Sequence, residues 1–134
     1  MRVFVDTSAF VALRNRDERE HAAARASFKT LIDQRSDLFT SNFVVAETYT
    51  ALLVRLGRSE AVTWGRSVRN SQSIEVVRVD ERTEDAAWQI LESHDDKLWS
   101  YVHATSFALI EQEGTLDAFA FDQHFRQRGL RVVP

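Results

Sequence analysis

Three carboxylates stand in positions where an ordinary surface charge is not the default. Asp6 ends the apolar run Val3-Phe4-Val5 and is followed by Thr7 and Ser8. Asp122 ends the run Ala118-Phe119-Ala120-Phe121 and is followed by Gln123-His124-Phe125-Arg126. Glu47 has Phe43, Val44, Thr50 and Ala51 three or four residues away and Val54 two turns on, so on a helix it occupies the apolar face. Each has a plain structural explanation. An Asp just before a helix is a good N-cap, and a Glu on an apolar face can meet an arginine or cap a neighbouring helix. As a set they suggest more. Clustered carboxylates repel, and their ionised forms call for a cation. Hard oxygen donors with open positions select Mg2+ or Mn2+. Such a site suits in-line attack of water on a phosphodiester.

The elements that must position these acids follow from the pattern. Residues 2–5 predict a strand, and 7–14 a short helix capped by Asp6 or Thr7. Residues 18–34 are amphipathic, with Ala22, Ala23, Ala26, Phe28, Leu31 and Ile32 at helical spacing. A short strand at 38–40 leads to Ser41-Asn42, an N-cap for a helix that runs to residue 56 and stops at Gly57. A helix at 58–70, a strand at 74–79, and helices at 82–94 and about 101–113 come next. The chain closes with a strand at 116–121, a short helix at 122–128 and a strand at 130–133. Strands alternating with helices predict an α/β fold with a parallel sheet between helices. Ligands of such sheets bind at the C-terminal strand ends, where Asp6 and Asp122 fall.

Composition narrows the function classes. The 134 residues include no cysteine, which excludes disulfides, zinc-thiolate centres and thiol nucleophiles and fits a reducing cytoplasm. No linker, repeat or low-complexity tract interrupts the chain, so one domain over 1–134 is expected. No run approaches the roughly 20 apolar residues of a membrane helix, and Asp6 falls where a signal peptide would need to stay apolar. A net charge of −3 does not advertise a globally basic nucleic-acid surface. Local arginines and bridging metal would have to make any RNA contact.

Four segments in order, DTSAF at 6–10, SNFVVAET at 41–48, ATSFAL at 104–109 and AFAFDQHF at 118–125, resemble a PIN-domain protein, with the VapC-like toxins of bacterial toxin–antitoxin pairs as the nearest likeness. The resemblance spans the whole chain. It implies a three-layer fold, a central parallel sheet flanked by helices, and a Mg2+- or Mn2+-dependent endoribonuclease. It also implies a homodimer, cytoplasmic and not membrane-bound, neutralised by a small antitoxin laid across an acidic pocket. The family's first, second and fourth acids fall on Asp6, Glu47 and Asp122. Thr7, Asn42 and Thr105 match polar positions near the pocket.

One position departs. The family's third acid precedes ATSFAL, in a pattern like S-F-T-D-A-T-S-F, and here that place is His103. With Ser100 as N-cap, His103 is the third helical residue, where an acid would complete a capping box and a histidinium would oppose the helix dipole. Three readings stand. His103 is an imidazole ligand, better tolerated by Mn2+ than by Mg2+; or the site is weakened, the reading we favour because imidazole replaces an anionic donor; or the histidine is an introduced change in an active enzyme. A degenerate domain that binds antitoxin or RNA without cutting is the corresponding alternative. Phosphotransfer through Asp6 fits poorly, since Ser8 stands where a DxDxT motif needs its second Asp. Asp95 and Asp96 are expected to be solvated, His124 to pack on a helix surface, and His21 and His94 to face solvent. Trp64 and Trp88 are expected in a core or interface. Trp99 is the better base-stacking candidate, and Arg55, Arg58, Arg66 and Arg69 are candidate phosphate contacts or a solvated face.

Overall fold

In a computed structural model covering residues 1–134, the sheet is organised around β1 (Arg2–Val5), which is paired on both sides. The other strands are β2 (Asp37–Ser41), β3 (Ile74–Val77), β4 (Asp117–Phe119) and β5 (Arg131–Val133). Their order is β3-β2-β1-β4-β5, and every pairing is parallel. Val3, Phe4 and Val5 are fully buried, which is why β1 is continuously apolar rather than alternating: both faces of a parallel sheet are covered.

Seven helices cover it: α1 (Thr7–Arg14), α2 (His21–Asp33), α3 (Asn42–Leu56), α4 (Arg58–Arg69), α5 (Glu81–Glu92), α6 (Tyr101–Gln112) and α7 (Gln123–Gln127). Crossovers between parallel strands are right-handed. The chain moves from β1 to β3 in one direction across the sheet, then reverses to reach β4. That reversal assigns α1–α4 to one face and α5–α7 to the other. Helix contacts agree, with α1 touching α2 and α3 while α5 packs on α6. Phe10 packs edge-on to Trp64 at 5.2 Å. Phe4 meets Phe39 on β2 and Phe125 on α7, and Phe125 meets Phe107 on α6.

The expected three-layer α/β fold is present, and the differences from it are local. The helix expected from residue 18 begins at His21, because Asn15 and Glu18 cap successive turns through Asp17, Glu18 and His21 N–H. The strands after α4 and α6 are shorter than their apolar runs. Val79 N–H turns away to Asn42 Oδ1 at 2.7 Å, and Phe121 N–H to Ser8 Oγ at 2.9 Å. Gly57, at φ +96°, ends α3 and starts α4, a backbone state that glycine adopts without steric cost.

The two ends of β1 carry opposite charges. At the N-terminal end Arg2 reaches Asp37 at 2.8 Å and Glu75 at 3.1 Å and also pairs with Glu113, while stacking over Phe39 at 4.2 Å. Burial alone pulls this guanidinium's pKa down, but its three carboxylate partners outweigh that and hold it raised. At the C-terminal end stands Asp6.

Candidate functional site

Asp6 lies where the strand order reverses, between β1 and β4, the place where open α/β sheets bind ligands. Its backbone N–H donates to Phe119 O of β4 at 3.1 Å. Its side chain caps α1: Oδ2 accepts from Ser8 N–H at 3.1 Å and from Ser8 Oγ–H at 2.6 Å. Ser8 Oγ in turn accepts from Phe121 N–H, so one hydroxyl ties the first acid to the strand end that carries Asp122. With both bonds on Oδ2, Oδ1 is left without a donor. The carboxyl is 3% exposed. Burial pushes its pKa up, Glu47 adds to the rise, and the bonds from Ser8 with the nearby His103 ring oppose it.

Asp6, Glu47, His103 and Asp122 line one cleft of about 500 Å³ with Thr7 and Ser8. Glu47 projects from α3, whose N-cap Ser41 accepts from Val44 N–H at 3.0 Å. The arginine that could have neutralised Glu47, Arg55 two turns along, pairs with Glu18 at 3.6 Å instead. Glu18 and Glu20 also line the cleft. Both lie in the polar turn before α2, which gives no periodic signal and reads in the sequence as solvent-facing. Five carboxylates (Asp6, Glu18, Glu20, Glu47, Asp122) therefore share the cleft with one guanidinium, Arg55. Thr7 Oγ1 is buried there without a hydrogen-bond partner.

Asp122 caps α7 as Asp6 caps α1, Oδ1 accepting from His124 N–H at 2.9 Å. Its Oδ2 faces His103 Nε2 at 2.8 Å. His103 corrects an expectation. The helix was expected to prefer an acid at its third position, yet the capping box is complete: Ser100 Oγ accepts from His103 N–H, and His103 Nδ1 accepts from Ser100 N–H, each at 3.0 Å. A neutral imidazole nitrogen does there what a Glu oxygen does in the usual box. Accepting at Nδ1 puts the ring proton on Nε2, which donates it to Asp122.

A PIN domain profile matches residues 3–129. The chain belongs to the PIN domain family. It is 36% identical over 131 residues to the 23S rRNA-specific endonuclease VapC20 of Mycobacterium tuberculosis, a match covering 98% of this chain and 97% of that protein. The crystal structure of Mycobacterium tuberculosis VapC20, described as a sarcin-ricin loop cleaving toxin, superposes with a TM-score of 0.87 over 98% of this chain and 99% of that one. FitAcB from Neisseria gonorrhoeae, 19% identical, shares the fold with a TM-score of 0.70, covering 100% of this chain and 97% of that one.

Other expected positions of this PIN domain fall differently. Asn42 does not line the cleft, since its Oδ1 holds Val79 N–H. Thr105 is buried within α6 and donates to Val102 O at 3.0 Å. Trp99 is 7% exposed and packed edge-on against Phe107, which removes it as a base-stacking platform. Trp88, expected in a core or interface, is 54% exposed and tilted against Tyr101 at 5.5 Å. Asp95 and Asp96 are exposed as expected. His21 and His94 are not simply solvated: each Nδ1 lies within 2.8 Å of a backbone carbonyl, of Ala12 and Ile90 respectively.

Proposed function

We propose that this PIN domain is a divalent-cation-dependent endoribonuclease, the toxin of a toxin–antitoxin pair. The cleft carries that reading: a buried carboxylate with one unbonded oxygen, an orphaned hydroxyl beside it and an excess of acids over cations. Asp6, Glu47 and Asp122 are the residues that would hold the cation, and oxygen donors of this kind suit Mg2+ or Mn2+. Bound there, such an ion supplies an activated water and neutralises charge on the phosphodiester.

The chain's own residues do the rest. Ser8 holds Oδ2 of the Asp6 carboxylate through two hydrogen bonds and leaves Oδ1 free. Arg55, half-exposed at the rim, is placed to meet an RNA phosphate, and Asp122 accepts the His103 proton donor. The full-length relationship to VapC20 makes 23S rRNA the first substrate to test, with an antitoxin as partner. We extend the reading to a homodimer that works in the cytoplasm as a single domain. No helix is long and apolar enough to cross a membrane.

A second reading has its own support. The His103 Nε2–H bond occupies Asp122 Oδ2, which favours a domain that still grips its partner or RNA but cuts slowly. One comparison separates the two: cleavage of ribosomal RNA by the natural chain and by His103→Asp, in Mg2+ and in Mn2+. Cleavage by both, lost in Asp6→Asn, supports the enzyme. Cleavage by His103→Asp alone supports the degenerate domain, and intact RNA in every arm rejects the nuclease reading.

A further inference from the structure

At one edge of the cleft, Asp122 and His103 join His124 in a mixed donor set. His103 Nε2 lies 2.8 Å from Asp122 Oδ2, and His124 Nε2 lies 3.8 Å from Asp122 Oδ1. The two rings are 4.6 Å apart, and one ligand atom from each of the three residues falls within 4.8 Å of the others. All three side chains keep some access to solvent, between 16% and 26%.

The hydrogen bonds around His124 fix which nitrogen is free. Trp99 Nε1–H is a donor only, so the Gln127 atom it meets at 3.3 Å must be the oxygen, Oε1. That same oxygen lies 3.0 Å from His124 Nδ1. An oxygen that accepts from both places the His124 proton on Nδ1 and leaves the Nε2 lone pair turned toward Asp122. A histidine whose far nitrogen donates to an amide or carboxylate oxygen is oriented as metal-ligating histidines are.

We propose that His124, Asp122 and His103 form a binding site for a borderline transition-metal cation of the Zn2+ class, sharing Asp122 with the oxygen-donor set of Asp6 and Glu47 and differing from it in cation preference. Two imidazoles and a carboxylate with a fourth position open match Zn2+, whereas Mg2+ takes oxygen donors and dehydrates reluctantly. The neighbouring acids add a negative field that favours any cation. His124 and Asp122 are preset. His103 joins last, because its Nε2 carries the proton that it donates to Asp122. To ligate through Nε2 it must lose that proton to solvent and take one at Nδ1, giving up the contact from Ser100 N–H. The net proton count is unchanged. The inference does not depend on RNA cleavage.

Calorimetric titration of the full chain with Zn2+ and with Mg2+, paired with nitrogen NMR of the histidine rings, tests it. Without metal, His124 should carry its proton on Nδ1 and His103 on Nε2. Zn2+ should bind with one ion per chain and move the His103 proton to Nδ1. His124→Gln should weaken Zn2+ binding at least about 10-fold, and Gln127→Met, which removes the orienting oxygen, by about 10-fold. Both variants sit at the surface of α7, and circular dichroism checks their folding. Zn2+ affinity equal in His124→Gln and the natural chain would overturn the proposal. So would a metal-free His124 protonated on Nε2, or Zn2+ binding that leaves the His103 proton in place. RNA cleavage is not read in any arm, so these outcomes leave the nuclease reading to its own test.

Discussion

Strand β1 is four residues long and ends in opposite chemistry. At its N-terminal end, carboxylates from β2, β3 and the turn after α6 converge on Arg2, and each is paired with it. Asp117 nearby is clasped by Arg131 through two bonds, at 2.8 and 3.2 Å. At its C-terminal end Glu18 pairs with Arg55 and Glu20 with Arg19, while Asp6 and Glu47 have no arginine or lysine partner. The same strand, core and helices support both ends, so folding does not require the second cluster to be left short of cations. Paired acids serve the sheet, and Asp6 and Glu47, unpaired at the switch point, are available to a ligand.

The contrast can be broken experimentally. The largest effect is expected from Asp6→Asn or Glu47→Gln. Divalent-dependent RNA cleavage should fall at least about 100-fold, the upper end of what losing an outer partner alone costs; a smaller loss in both would place the chemistry elsewhere. Ser8→Ala should lower cleavage by about 10- to 100-fold and cost about 1–3 kcal/mol in a urea melt, since Phe121 N–H and Asp6 lose a shared partner. His103→Asp frees Asp122 Oδ2 and should raise Mg2+-dependent cleavage by about 10-fold, read from initial rates. Arg2→Met, at the paired end, should cost about 1–2 kcal/mol of stability and leave the cleavage rate as it was.

The smallest effect is on pH dependence in metal-free buffer. The folded chain holds the Asp6 proton more tightly than the unfolded chain does. That contribution to stability is complete below the unfolded pKa of about 3.9 and is lost as pH rises through the higher folded value. Asp6→Asn should therefore gain Tm relative to the natural chain at neutral pH and lose that advantage in acid. Mn2+ should close the same gap for the natural chain.

Much of this was legible in the sequence, and the missing part has a physical cause. Asp6 and Asp122 were legible because a buried strand announces itself as an apolar run, and whatever follows it lies at the sheet's end. Glu47 was legible from helical spacing. The role of Ser8 was not, because a hydroxyl that bonds both Asp6 Oδ2 and Phe121 N–H depends on how two distant strand ends meet. Glu18 and Glu20 sit in a turn with no period to place them. His103 misled because its residue type suggests a positive charge, whereas the Ser100 N–H selects a neutral tautomer that only the backbone geometry reveals. Trp88 and Trp99 both lie near helix α6, and which is covered depends on how α5 and α7 pack against it.

The central place of β1 also orders events in time. Synthesis runs from N- to C-terminus, so Asp6 leaves the ribosome well before β4, the strand that pairs beside it. A nascent chain that has not reached Asp117 has β1 with one side open and no cleft. Pairing strands so far apart in sequence is slow. The interval between synthesis of the first acid and closure of the cleft is therefore built into the strand order, and the cleft is complete only once β4 has paired with β1 and brought Asp122 beside Asp6.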